Sequence, residues 1–199
     1  MSALETAGKV LSLASLIQPA VTSEPVASTE VALVEAVRAG DREAFGRLYA
    51  LYAPMVHGVL LARVPYRDVD DLVQDVFLSA LKRLGSLREA AAFGGWLAMI
   101  ARNRAVDYYR RAHETEELTD EMPVTSHCDT EAEHEAARML EVVRGLPEAY
   151  RETLVLRLVE GMTGPEIAGR TGMTPASVRV NLHRGMKLLR ERLGLEERA

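Results

Sequence analysis

Six side chains near the C-terminus are suited to reading a nucleic acid: Ser177, Arg179, Asn181, His183, Arg184 and Lys187. At helical spacing they fall on one face of a helix whose opposite stripe is Val178, Leu182, Met186, Leu189 and Leu193. Arg and Asn can contact base edges in a major groove, and Arg and Lys can pair phosphates. Upstream, a short helix carries Ile167 and the small Ala168. Gly172 then supplies a turn with positive φ, Thr174 an N-cap, and Pro175 the first helical position, where a missing N–H has no consequence. Two helices across a glycine turn, the second with a basic outward face, predict a helix-turn-helix. From Gly164 to Arg192 six basic residues stand against two acids, a net of +4.

A second constellation lies at 93–111. Arg102, Arg104, Arg110 and Arg111 stand against Asp107, a net of +3, with Trp96, Tyr108 and Tyr109 interleaved and Asn103 beside them. Arginines among aromatics suit single-stranded or melted nucleic acid, whose exposed bases stack or enter pockets. Trp96 and Tyr108 equally suit a helical core. A third pattern lies just upstream: Asp71, Gln74, Asp75 and Leu78 share one helical face, while Leu72, Val76, Phe77, Ala80 and Leu84 supply packing. An acidic face of this kind is either solvated or docks a basic partner helix.

The elements that must position these residues are helical. Apolar spacing and Gly or Pro stops predict helices over about 30–39, 41–61 (N-cap Asp41), 68–84, 93–111, 132–144, 148–160, 165–171 and 175–193. Strand and hairpin signals are absent, so the expected class is all-α, with two small helical domains joined by a flexible acidic linker. The expected divisions are a poorly ordered extension at 1–30, a helical domain at 31–112, the linker at 113–135 and a helix-turn-helix domain at 136–199.

Net charge taken whole misleads. The 199 residues carry 24 Lys and Arg against 29 Asp and Glu, net −5, which argues against a nucleic-acid partner. Yet nine of those acids, and no Lys or Arg, lie between Glu114 and Glu135, so the rest of the chain is net +4. The acidity belongs to the linker, read either as a solvated tether or as a strand for a partner's cationic channel. One cysteine, Cys128, excludes an internal disulfide framework. His113, His127, Cys128 and His134 lack close ligand spacing, so neither a metal nor another cofactor is expected, nor is an enzyme. The best candidate apolar segment, Val10 to Ile17, is interrupted by Ser12 and Ser15 and too short to span a bilayer, and Glu5 cancels Lys9 ahead of it, which points to a cytoplasmic protein.

Five motifs in order resemble the bacterial extracytoplasmic-function sigma factors, short two-domain specificity subunits of RNA polymerase. They are D-x-D-D-L-V-Q-D-V-F at 68–77, W-L-x-x-I-A-R-N at 96–103, D-Y-Y-R-R at 107–111, L-P-E-A-Y-R-E at 146–152 and H-R-G-M-K-L-L-R at 183–190. The resemblance covers about residues 38–193. It implies that Asp71, Leu72, Gln74, Asp75 and Leu78 bind core RNA polymerase. It also implies that Trp96, Arg102, Asn103, Arg104, Asp107, Arg110 and Arg111 serve the −10 element, where a base is flipped out, and that the loop 85–92 assists. Ser177, Arg179, Asn181, His183, Arg184 and Lys187 would read the −35 element, and the linker would run toward the RNA exit path. Core polymerase and promoter DNA are the implied partners, and an anti-sigma factor is a family expectation. Two features depart from the pattern: the extension of about thirty residues, and Val180–Asn181 in place of a polar–basic pair. An ordinary helix-turn-helix regulator would leave 68–111 without a purpose. A sigma mimic that no longer touches promoters would have no use for the retained arginines.

Overall fold

A computed structural model describes residues 26–116 and 131–194. Most of the tail expected to be poorly ordered and most of the linker lie outside these residues. So do His127 and Cys128, and the side chains of His113 and His134.

Eight α-helices and no strand occur among the described residues: α1 Val26–Arg38, α2 Arg42–Leu61, α3 Val69–Arg83, α4 Phe93–Glu116, α5 Glu131–Arg144, α6 Glu148–Leu158, α7 Gly164–Thr171 and α8 Pro175–Arg192. Short 3-10 turns at Tyr66–Asp68, Leu84–Ser86 and Ala90–Ala92 join the first four. Local chemistry sets the starts and stops. The Asp41 carboxylate caps α2 by accepting from Glu43 N at 2.8 Å and Ala44 N at 3.1 Å. Thr163 and Glu166 form a reciprocal capping box at the start of α7, and Gly172 ends that helix at φ 74°. Thr174 accepts from Ser177 N at 3.1 Å, and Pro175 begins α8.

Three boundaries differ from the sequence expectation. Helix α1 begins at Val26, inside the presumed tail, while α4 continues to Glu116 and α5 begins at Glu131, both inside the presumed linker. Composition blurs these ends. Ala and Glu favour helix, acids suit the N-terminus of α5, and no Gly or Pro stops α4 before Pro123.

Helix α2 is the hub. Leu48, Tyr52, Met55, Val56, Val59 and Leu60 are buried on it, and α1, α3 and α4 pack around it. Helix α3 contributes Val73, Val76, Phe77 and Ala80, and α4 contributes Phe93, Leu97, Ile100, Ala101 and Ala105. Burying each large apolar side chain is worth about 1.5–3 kcal/mol, which is why the helical stripes decide the packing. In the second unit α8 crosses α6 and α7 over Leu154, Ile167, Val178 and Leu189.

The two units do not stand apart. Helix α6 lies on α2 and α7 lies on α4, and the buried apolar residues of both units form one cluster from Leu33 to Leu189.

Candidate nucleic-acid interface

Helix α8 presents its polar face outward as expected. Ser177, Arg179, His183, Arg184 and Lys187 are exposed, and Asn181 is half-buried. Val178 and Leu189 are buried beneath, and Leu182, Met186 and Leu193 pack against the core. Ser177 also belongs to the cap, its hydroxyl 2.8 Å from that of Thr174. Lys187 stands 3.9 Å from Glu191, a loose surface pair. Arg179 and Arg184 have no ion-pair partner among the described residues, so the capped turn holds out two uncommitted guanidinium groups.

Helix α4 is organised differently. Asn103, Arg110 and Arg111 are exposed, whereas Trp96 is half-buried with its ring 5.9 Å from Phe93. Asp107 pairs with Arg110 at 3.1 Å. Tyr108 donates to Asp68 at 2.8 Å and Tyr109 to the Arg63 carbonyl at 2.8 Å, so both phenols tie α4 to the turn after α2. The Arg104 guanidinium pairs with Asp75 of α3. Two side chains assigned by resemblance to different partners, one to DNA and one to polymerase, thus hold each other.

Arg102 has the most constrained place. Its Nη2 and Nε donate to the two carboxylate oxygens of Glu152 at 2.7 and 3.1 Å. Glu152 lies on α6 and is 2 % exposed. It also receives Arg63 at 2.6 Å, so one buried carboxylate is shared by two guanidinium groups. Burial pushes the Glu152 carboxyl up, but Arg102 and Arg63 together hold it below the usual carboxylate range.

On α3, Asp71, Gln74 and Leu78 are exposed, and Leu78 and Leu81 leave 53 % and 44 % of their surface open. Asp75 is half-exposed. Leu72 is buried in the core and lines a shallow depression with Arg104, Tyr108, Arg111 and Ala112.

Sequence reasoning did not single out Arg63, Arg144, Glu152 or Arg170 as structural partners. Arg144 donates to the Leu61 and Val64 carbonyls at 3.1 and 2.5 Å, satisfying acceptors at and beyond the C-terminus of α2. Arg170 donates to the Leu51 carbonyl at 3.0 Å. Each pairing joins positions far apart in sequence, which no local pattern encodes.

No helix among the described residues is long and apolar enough to cross a membrane. The fold and its two basic faces define an all-α protein of two helical units, the second closing on a helix-turn-helix. Residues 48–115 match the Sigma-70 region 2 family and residues 136–189 match Sigma-70 region 4. The chain is 30 % identical over 181 residues to the ECF RNA polymerase sigma factor BldN of Streptomyces coelicolor, covering 86 % of this chain and 68 % of that one. It is 32 % identical over 166 residues to the RNA polymerase sigma factor CarQ of Myxococcus xanthus, covering 81 % and 95 %. The chain therefore belongs to the ECF family of RNA polymerase sigma factors. Among solved structures it is similar to CnrH in complex with the cytosolic domain of CnrY, at TM-score 0.60 and 26 % identity over 85 % of this chain and 99 % of that one.

Proposed function

We propose that the chain directs core RNA polymerase to promoters through three surfaces, acting in the cytoplasm by binding rather than catalysis. The outward face of α8, with Ser177, Arg179, Asn181, His183, Arg184 and Lys187, reads the −35 element in the major groove. Helix α4, with Trp96, Arg102, Asn103, Arg104, Asp107, Arg110 and Arg111, holds the melted −10 strand. The α3 face of Asp71, Gln74, Asp75 and Leu78, with Leu72 beneath it, docks on core polymerase. The working units are 31–112 and 136–199, joined by the acidic segment 113–135.

One observation carries this reading: Arg179 and Arg184 are exposed, and among the described residues without ion-pair partners, on a helix locked by its cap and turn. A basic helix face held rigidly outward is what base-edge readout needs. CnrH, a structural relative, was solved in complex with the cytosolic domain of CnrY, which supports a protein regulator for this chain also.

The test is reconstitution with core polymerase on a promoter library, scored by specific initiation. Co-elution with core together with promoter-specific transcripts is expected. Failure to co-elute overturns the reading. Leu78→Glu should weaken core binding by more than about 1 kcal/mol without lowering the melting temperature, because Leu78 is 53 % exposed.

A further inference from the structure

The outward side of α8 is basic at its flanks and apolar at its centre. Val178, Gly185 and Leu189 are the buried residues of this helix, and they define the direction that points into the core. At about 100° per residue, the positions that point the opposite way are Ala176, Val180, His183 and Lys187. All four are exposed, and Val180 leaves 43 % of its surface open. Arg179 falls to one side of this line and Arg184 to the other. Asn181 is half-buried, nearer the core.

In a recognition helix the N-terminal residues are those that reach base edges. Over the first two turns of α8 the outward centre is held by Ala176 and Val180 alone. They stand four positions apart and so are neighbours on the helix surface. Ser177 serves the cap: its backbone N–H donates to the Thr174 hydroxyl oxygen at 3.1 Å, and its own hydroxyl lies 2.8 Å from that oxygen. A helix entering the groove as proposed above, on which this inference rests, therefore presses two aliphatic side chains inward between two guanidinium groups. Val180 is branched at Cβ, and a helix holds such a side chain in essentially one rotamer, so its methyl groups are positioned in advance. Single exposed aliphatic side chains are ordinary on a protein surface. Val180 differs by its place, at the middle of a face otherwise built from Arg179, His183, Arg184 and Lys187.

Of the base edges in the major groove, only that of thymine carries a methyl group, at C5. The other bases are read there through hydrogen-bonding groups. A valine against those groups strips water from them and returns no hydrogen bond, which costs affinity. One side chain thus favours thymine and disfavours its competitors. We propose that Val180, with Ala176 beside it, is a specificity-determining residue that selects thymine within the −35 element by packing on its 5-methyl group.

Holoenzyme reconstituted from the full-length chain and core polymerase tests this on promoters selected from a library randomised at the −35 element. Selection should return thymine at one position or more, on either strand. Each such thymine is then replaced singly by deoxyuridine, which removes the methyl group and leaves every hydrogen-bonding group in place. At one position wild type should lose about fourfold in promoter affinity, the scale of one buried methyl group. 5-Methylcytosine there should bind tighter than cytosine. Val180→Ala should bind the thymine and deoxyuridine promoters alike and select no base at that position. It should match wild type on the deoxyuridine promoter, which also shows that the helix is intact. Val180→Ile, which keeps the branched side chain, should keep the penalty.

A selected element without thymine, or no deoxyuridine penalty at any position, overturns the proposal and leaves the sigma reading standing. A penalty that persists in Val180→Ala assigns the methyl group to another side chain and overturns it as well. If holoenzyme selects no promoter at all, the sigma reading fails and the role of Val180 falls with it.

Discussion

Arginine is the residue on which this protein turns, and position decides what each one does. Arg179 and Arg184 project from α8 without ion-pair partners among the described residues, whereas Arg63 and Arg102 converge on one buried carboxylate. The first pair has no ion pair among the described residues to give up. The second pair is held by Glu152. Arg179→Ala and Arg184→Ala should each weaken −35 binding by holoenzyme by about 1–3 kcal/mol, measured as a shift in promoter affinity, with specificity relaxed at the contacted base. Gly185 acts by absence. A Cβ there would lie 3.0 Å from Leu154 and 3.1 Å from Tyr150, inside the packing of α8 on α6. Gly185→Val should therefore destabilise the fold by about 1–3 kcal/mol, read as a lower urea midpoint with unchanged m value.

At the scale of the element, the helix-turn-helix is held by its ends. The Thr163 backbone N–H donates to Glu166 Oε2 at 2.8 Å, and the Thr163 hydroxyl donates to the same oxygen at 2.7 Å. These bonds, backbone first, hold the Glu166 carboxyl below its usual range. Removing the Thr163 side chain should cost about 1 kcal/mol of thermal stability. The sign of the pH dependence follows from the lowered Glu166 value. Its stabilisation is present above the ordinary carboxylate pKa and disappears as pH falls through the lowered one, so the deficit of Thr163→Ala should shrink in acid. Urea melts of wild type and variant at pH 7 and pH 3 would check this.

The described residues share one apolar cluster drawn across two units, tied by ion pairs at its rim. Among these, His57 of α2 meets Glu160, just beyond α6, at 2.6 Å. The hydrogen bond that His57 Nδ1 donates to the Glu160 carboxylate raises His57 above its ordinary value, burial opposes it, and the charges of Glu160 and Asp70 assist. A raised histidine stabilises the folded protein fully below about pH 6.5, and that contribution is lost as pH rises through the raised value. The packing of α6 on α2 should therefore loosen toward alkaline pH. The stability difference between wild type and His57→Gln should be larger at pH 6 than at pH 8.5, measured by urea melts.

The sequence by itself determined the elements and their chemistry. Asp41, Gly172, Thr174 and Pro175 act through neighbours a few residues away, so caps and turns were legible, as was the outward placing of Arg179 and Arg184 by helical period. The family motifs were legible for the same reason, each being a short local run. Tertiary structure alone decided which charges meet. Arg102 and Glu152 are 50 positions apart and Arg170 and Leu51 are 119 apart, so no periodicity relates them. Gly58 and Gly94 read as neutral in a helical pattern, and only the approach of α6 and α7 shows why a side chain is excluded there. Local physics writes the helices. Long-range complementarity sets how they close on one another, and in this protein that closure gives Arg102 a buried carboxylate as its partner.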